Sequence, residues 1–227
     1  MTWTNALLIA MVNPQEEPPG YNRARPSILN APYINVDKAS DDGVFISGEI
    51  TRAGFGNVYV TYFSGKSLVT AGPPFLSQAN IFISRSTDNG LTFDPQVEMN
   101  DDLGDTSHVF PSVQVNKNGY VFGTWLDRRR DVAANTLTDA WANVSKNTGA
   151  TYGPDRLQTD FATSWFVRAD AAPNFGDYNS SDLLGFNDFV IIWADGRFPP
   201  PAPAPGAATP DTIFTIANGL GVGNLSK

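Results

Sequence analysis

Cysteine is absent from this 227-residue chain, and histidine occurs once, as His108. The chain therefore has no disulfide framework, no thiolate nucleophile and no cysteine-ligated metal, and a histidine-rich zinc site is excluded. Glutamate is also scarce, because the chain has only four. We expect no cofactor and no metal centre from this composition, and we interpret His108 as an ordinary residue where a strand begins.

Long apolar runs and an excess of positive charge are lacking as well. The apolar segment 6–12 is far shorter than the roughly 20 residues that a membrane-spanning helix needs. No transmembrane span is expected, although docking to a membrane-bound complex stays open. The formal net charge is −8, which argues against nucleic acid as a partner. Composition alone leaves the compartment open.

Turn-forming residues are abundant, with 20 glycines and 17 prolines, and 41% of the residues are hydrophobic. This balance favours a folded chain of short strands over one of long helices. The first part, residues 1–30, contains a proline-rich stretch and is predicted to be an extended arm. Residues 31–227 are predicted to form one all-β domain.

The domain contains an internal repeat. Three β-rich runs each end on an aromatic residue, at Tyr62, Trp125 and Trp193. These aromatics are 63 and 68 residues apart, which is close to the length of one four-stranded antiparallel sheet with its loops. The copies are predicted at 31–98, 108–160 and 165–217. Their first strands are predicted at 33–36, 110–115 and 165–169, and their third strands at 80–84, 138–144 and 212–216.

A second pattern, S-x-D-x-G-x-T-F, follows the third strand of the first copy and returns in the second copy 59 residues later. Its residues are Ser86, Asp88, Gly90, Thr92 and Phe93, and then Ser145, Asn147, Gly149, Thr151 and Tyr152. The short polar side chain can accept hydrogen bonds from turn amides, and the glycine permits a positive φ. We interpret Asp88 and Asn147 as residues of a structural hairpin turn, not as catalytic groups.

This pattern resembles the Asp-box, or BNR repeat, of sialidase-like β-propellers. The resemblance covers about residues 31–217 and implies antiparallel four-stranded blades around an axis. Only about three blades fit in the chain, whereas sialidase propellers have six, so the propeller is expected to be incomplete or reduced. Members of this family mostly act outside the cytoplasm, and the resemblance alone favours a periplasmic or secreted location.

The catalytic set that the resemblance would imply matches poorly. A sialidase uses three arginines, a tyrosine nucleophile with a glutamate partner, and an aspartate. The nearest match to the first arginine motif is Arg23-Ala-Arg25-Pro26, which lies in the arm, and Tyr178 resembles a recurring Gly-Asp-Tyr element. No catalytic residue is therefore assigned, and if the chain is an enzyme, a sialidase-like glycoside hydrolase is expected.

A W-x-D-x-R pattern occurs twice and supplies possible ligand-binding residues, together with Tyr178. They are Asp127 and Arg129 in the second copy and Asp195 and Arg197 in the third. A carboxylate and a guanidinium two residues apart on a strand point to one side, so they could clamp a substrate. The interpretation we favour is that each pair ties a strand end to its neighbour. Acidic clusters at 101–105 and 41–42 could instead bind calcium.

Three functions follow from these observations. The first is a non-catalytic interaction or scaffold module, an accessory subunit of a larger assembly, because three blades leave sheets that another protein or a second copy must cover. The second is a glycan-directed protein, either a reduced exo-sialidase or a sugar-binding module, in which Trp141, Trp165 or Trp193 could stack on sugars. The third is a fragment of a longer propeller.

Overall fold

The computed structural model describes residues 33–36, 54–65, 79–104, 106–134, 137–164, 180–184, 188–194 and 214–218. These residues form three sheets in which every strand pairing is antiparallel. The prediction of an all-β chain built from antiparallel sheets is confirmed. Within the described part, the one helix is a short 3₁₀ turn at Arg129–Asp131, and nothing there is long and apolar enough to cross a membrane.

The sheets follow one another along the chain. The first sheet has the order β1 (Tyr33–Val36), β2 (Val58–Gly65), β3 (Ala79–Ser86) and β4 (Val97–Glu98). The second has the order β5 (His108–Val115), β6 (Val121–Asp127), β7 (Leu137–Ser145) and β8 (Arg156–Leu157), with β9 (Thr163–Ser164) also paired to β7. The third contains β10 (Ser180–Leu184), β11 (Asp188–Ala194) and β12 (Phe214–Asn218).

One apolar core runs through all three sheets because side chains alternate between the two faces of each strand. Tyr59 and Phe63 of β2 belong to this core, whereas Val60 and Tyr62 on the opposite face form a second cluster with Phe82. The first sheet is therefore buried on both faces at its centre.

The first strand of the second sheet, β5, contacts both neighbouring sheets. The ring of Phe63 in the first sheet meets the ring of Phe110 in β5 edge-on, with 6.3 Å between centroids. The hydroxyls of Ser112 in β5 and Ser181 in β10 share a 2.7 Å hydrogen bond. The side-chain amide of Gln114 donates to the Ser181 carbonyl. The three sheets thus stack in chain order, and β5 contacts both neighbours.

The strand positions agree with the sequence prediction in the first two copies, and in the third copy the strand predicted at 212–216 overlaps β12. The strand predicted at 33–36 matches β1, and the core strands β2, β6 and β11 carry the three repeated aromatics. The first strand of the third copy was predicted at 165–169, which lies outside the described residues. The strand that pairs with β11 on that side is β10, at Ser180–Leu184.

Candidate functional site

The first S-x-D-x-G-x-T-F segment closes the β3–β4 turn through its own side chains. The Ser86 hydroxyl accepts from the Gly90 amide at 2.8 Å and donates to Asp88 Oδ1 at 2.7 Å. Asp88 then accepts from the Thr92 amide and hydroxyl at 2.8 and 2.6 Å. The Thr92 hydrogen bonds lower the pKa of Asp88 to about 2. The carboxylate is engaged within its turn, and Phe93 packs against the outer cluster of the first sheet.

The second segment repeats this geometry with asparagine in place of aspartate. The Ser145 hydroxyl accepts from the Gly149 amide at 2.8 Å, and Asn147 Oδ1 accepts from the Thr151 amide at 3.0 Å. The Asn147 amide nitrogen donates to the Thr151 hydroxyl at 2.9 Å. A threonine hydroxyl can donate or accept, so reversing this one bond accommodates asparagine. Tyr152 packs against the main core.

The W-x-D-x-R residues of the second sheet bond to one another at the end of β6. Asp127 Oδ2 accepts from the Trp125 indole nitrogen at 3.0 Å and from Arg129 Nε at 2.7 Å. Its other oxygen accepts from the Arg129 backbone amide at 2.7 Å. Asp127 therefore fixes the side chains of both Trp125 and Arg129.

Arg129 also reaches carboxylates on two other segments. One terminal nitrogen lies 2.9 Å from Asp101 Oδ1, and the other lies 2.7 Å from Asp155 Oδ2. The guanidinium also stacks over the Trp141 ring, 4.2 Å from its centroid. We call Arg129, Asp101, Asp102, Asp127, Asp155 and His108 the Arg129 cluster. Its guanidinium donors point at protein carboxylates, so the geometry is that of a joint between segments.

The carboxyl groups of the cluster have opposite pKa shifts. Burial raises the pKa of Asp155 to about 6 against the opposing effects of the Asp101 amide and Arg129. Burial also acts to raise the pKa of Asp102, but His108 and Arg129 outweigh it and hold that pKa well below its usual range. Asp155 can thus take a proton near neutral pH while Asp102 stays ionised. Such a pair suits acid and base roles, but the Asp155 side chain is only 1% exposed.

His108 is the buried centre of the cluster. Its Nε2 lies 2.9 Å from Asp102 Oδ1 and 3.2 Å from Asp127 Oδ2, and its Nδ1 lies 2.9 Å from the Ala79 carbonyl. Burial acts to lower the pKa of His108, but the two aspartates outweigh it and raise that pKa to about 9. Although Asp102, His108 and Asp127 lie close enough to hold a metal ion, they bond to one another and to Arg129. Asp101 and Asp102, which belong to the acidic segment considered for calcium, are therefore already paired with the side chains of Arg129 and His108.

A separate cleft opens between the second and third sheets. Its volume is about 340 Å³. The floor contains Phe122 of β6 and Phe189 of β11, whose ring centroids are 5.2 Å apart, together with Val144 and Tyr152. Within the described part of the chain, the other lining residues are mostly polar or lie in the second turn: Asn143, Lys146, Asn147, Thr151, Gly153, Pro154 and Arg156. The cleft combines a buried aromatic floor with an exposed polar rim.

The structure brings some of the sequence-predicted residues together and leaves others outside its described part. Asp127 and Arg129 share the Arg129 cluster, whereas Tyr178, Asp195, Arg197 and Trp165 lie outside the described residues. Of the tryptophans considered for sugar stacking, Trp141 lies under the Arg129 guanidinium and Trp193 is buried in the core. The sequence interpretation missed the cleft, since no local pattern connects β6 with β11.

Comparisons with known proteins find similarity at the level of structure. No protein-family profile matches the chain, and no curated protein matches it either. Among solved structures, an α-L-arabinanase of Penicillium chrysogenum complexed with arabinobiose is 17% identical with a TM-score of 0.45, and the match covers 84% of this chain and 45% of that one. An α-L-arabinofuranosidase of Fusarium graminearum in complex with an iminosugar inhibitor is 16% identical with a TM-score of 0.47, covering 83% and 45%.

A Hadza microbial sialidase is 12% identical with a TM-score of 0.41, and the match covers 84% of this chain and 33% of that one. All three are β-propeller glycoside hydrolases. The chain spans less than half the length of each of them. None of these matches identifies Asp-box repeats, and none assigns an activity or a ligand to this chain.

Proposed function

We propose that this chain contributes a sugar-binding cleft to a larger β-propeller, and that it binds without catalysing a reaction. The observation that carries the proposal is the aromatic floor and polar rim within one cleft. Sugars present apolar C–H faces beside many hydroxyl groups, so a ring can lie against the half-buried Tyr152, above the buried Phe122–Phe189 floor, while its hydroxyls meet the rim. Pockets that bury small molecules commonly combine an apolar lining with a few placed polar groups.

The Arg129 cluster supports binding over hydrolysis. Its acid and base groups are satisfied by one another, and Asp127 and Asp155 are almost fully shielded from solvent. A glycosidase of the usual kind needs two carboxyl groups that reach the substrate from either side of the scissile bond. We therefore expect ligand binding at the cleft without turnover.

Calorimetric titration with neutral and acidic oligosaccharides tests the proposal, together with fluorogenic sialoside and arabinofuranoside substrates. Phe122→Leu trims the floor, and Phe63→Leu is the matched control because Phe63 is equally buried in the core away from the cleft. We expect Phe122→Leu to weaken binding at least severalfold and Phe63→Leu to leave it unchanged. Hydrolysis of either substrate, or equal binding by both variants, would contradict the proposal.

A scaffold role is the second candidate, and the outer face of the third sheet favours it. Aligning Trp125 with Trp193 makes Val190 and Ile192 the counterparts of Phe122 and Thr124. Thr124 is 1% exposed, whereas Ile192 is 38% exposed. The third sheet buries this face of the second sheet. The corresponding face of the third sheet is more exposed. We infer that a further antiparallel sheet docks there.

Light scattering coupled to size-exclusion chromatography tests this second role. The wild-type chain is expected to associate as its concentration rises, and Ile192→Lys to suppress the association. Leu103→Lys is the control, because Leu103 is an isolated exposed side chain at 98%. A wild-type chain that stays monomeric at all concentrations would count against an apolar docking face. Two copies could complete a closed ring of sheets only if the outer face of the first sheet were also free. That face is buried at Val60 and Tyr62, so the expected association is through the third sheet.

A further inference from the structure

The first turn, at residues 86–93, contains an asparagine followed directly by a glycine, Asn89-Gly90. In this dipeptide the backbone nitrogen of the glycine can attack the side-chain amide carbon of the asparagine, because glycine has no side chain to hinder the approach. The same pair also begins at Asn118 and at Asn218. Asn89 is exposed and Gly90 is half-buried, so water reaches the reacting groups of the first turn.

The reaction between these groups is deamidation, in which water is the only co-reactant. The Gly90 nitrogen gives its proton to the solvent and forms a bond to Asn89 Cγ, while the bond from Cγ to the side-chain nitrogen breaks. That nitrogen takes up a proton and leaves as ammonia. Water then opens the resulting five-membered ring at either of its two carbonyls, which gives aspartate or isoaspartate at position 89.

The backbone of the folded turn opposes ring closure. Asn89 and Gly90 have φ of 60° and 85°, and the Leu91 amide donates to the Asp88 carbonyl at 3.4 Å, as in a type I′ turn. Ring closure requires the Gly90 nitrogen to rotate until it eclipses Cβ of Asn89. At the ψ of about 30° that the first central residue of this turn type has, the nitrogen lies on the opposite side from Cβ. The turn must therefore open before Asn89 can react.

The Ser86 hydroxyl adds a second restraint, on the attacking nitrogen itself. Ser86 is fully buried, and its hydroxyl accepts from the Gly90 N–H at 2.8 Å while it donates to Asp88 at 2.7 Å. The attack requires the nitrogen without its proton, and a hydrogen bond donated by the N–H favours the protonated form. The ionised Asp88 carboxylate beside this bond further disfavours a negative charge on the nitrogen.

We propose that Asn89 is a deamidation site guarded by the Ser86 hydroxyl, so that it reacts only when the first turn opens. The aspartate product places a second carboxylate beside Asp88. The isoaspartate product also adds one carbon to the backbone between Ser86 and Gly90, which is incompatible with the bond that closes the turn. Phe93, which packs against the outer cluster of the first sheet, then loses its support from the turn. Modification thus makes a transient local opening permanent.

Peptide mapping by mass spectrometry, after incubation of the full chain at pH 8, measures deamidation at Asn89 and at Asn118 as an internal reference. We expect Ser86→Ala to speed the reaction at Asn89 about tenfold, because one hydrogen bond of the closed turn is lost. Ser145→Ala is the matched control. It removes the equivalent hydroxyl from the second turn, where Asn147 is followed by threonine, and should leave the rate at Asn89 unchanged. Thermal melts establish that both variants remain folded.

The reference site distinguishes a local effect from general loosening. The Gly119 nitrogen, which would attack Asn118, donates to the Asn116 carbonyl at 2.9 Å, and neither substitution touches this bond. Faster deamidation of Ser86→Ala confined to Asn89 supports the proposal. An equal rise at Asn118 would overturn the guarding role of Ser86. Deamidation of Asn89 in the folded wild type as fast as in the urea-unfolded chain would show that the turn gives no protection, and no deamidation of Asn89 even in the unfolded chain would overturn the site.

Discussion

Replacing Arg129 by methionine should destabilise the protein strongly, because it removes one cation from between several buried carboxylates. The Arg129 side chain is 12% exposed, and its partners Asp127 and Asp155 are 0% and 1% exposed. Removing one partner of a buried ion pair costs about 3–5 kcal/mol, since the remaining charge is left in a poorly solvating environment. Total stabilities of about 5–15 kcal/mol make this a large share.

Urea denaturation followed by tryptophan fluorescence measures this loss. Asp94→Asn is the matched control, because the Arg85–Asp94 pair has similar contact distances, 2.8 and 2.9 Å, but Asp94 is 46% exposed. An exposed pair of this kind contributes about 0–1 kcal/mol. Arg129→Lys should fall between wild type and Arg129→Met, since lysine restores the charge but cannot bond three carboxylates at fixed angles.

The stability lost in Arg129→Met should also depend on pH, in a direction set by Asp155. Burial already raises the pKa of this carboxyl to about 6, and loss of Arg129 would raise it further. A carboxyl with a raised folded pKa favours the folded state at low pH, and this contribution is lost as pH rises through that pKa. The penalty of Arg129→Met should therefore be smaller at pH 5 than at pH 8. A penalty as small as that of Asp94→Asn, or one independent of pH, would refute the reasoning.

Two further predictions concern stability. The pKa of His108 is about 9 when folded, above its unfolded value near 6.5, so its contribution is present below pH 6.5 and lost as pH rises through 9. Denaturation at pH 6, 8 and 10 should show this decline, and His108→Asn should flatten it; an equal decline in the variant would assign it to other groups. Gly149 and Gly90 both have positive φ, at 79° and 85°, but a Cβ would meet Tyr59 Cε1 at 2.7 Å from Gly149 and nothing closer than 3.7 Å from Gly90. Thermal melts should show Gly149→Ala as the more destabilising change, and equal losses would mean that φ strain alone acts.

The parts of the fold that could be predicted from the sequence are those encoded within a few residues. The β1 strand at 33–36 has the predicted bounds, and the repeated aromatics fall on β2, β6 and β11. The turn of Ser86 and Asp88 is closed by bonds between residues two to four positions apart. Hydrophobic alternation and turn chemistry act over such short distances, so a single sequence reveals them.

The candidate sites depend on contacts that no local pattern encodes. Arg129 bonds Asp101 and Asp155, which lie 28 and 26 positions away. The acidic segment that holds Asp101 was considered for calcium because its composition shows negative charge but not the arginine that meets it. Phe122 and Phe189 form the cleft floor across two sheets in the same way. Long-range partners of this kind require the arrangement of the sheets to be known.

The second turn, which begins at Ser145, bonds to the first sheet as well as within the second sheet. Thr148, at its centre, has a positive φ of 57°. Its carbonyl accepts from the Tyr59 hydroxyl at 3.0 Å and from Arg85 at 3.1 Å, and both donors belong to the first sheet. The side-chain bonds that close the turn hold this carbonyl where the first sheet can reach it. One turn at the end of the third strand of a sheet can thus fasten that sheet to the preceding one, so a turn recurring at the spacing of the sheets provides a structural reason for the repeat.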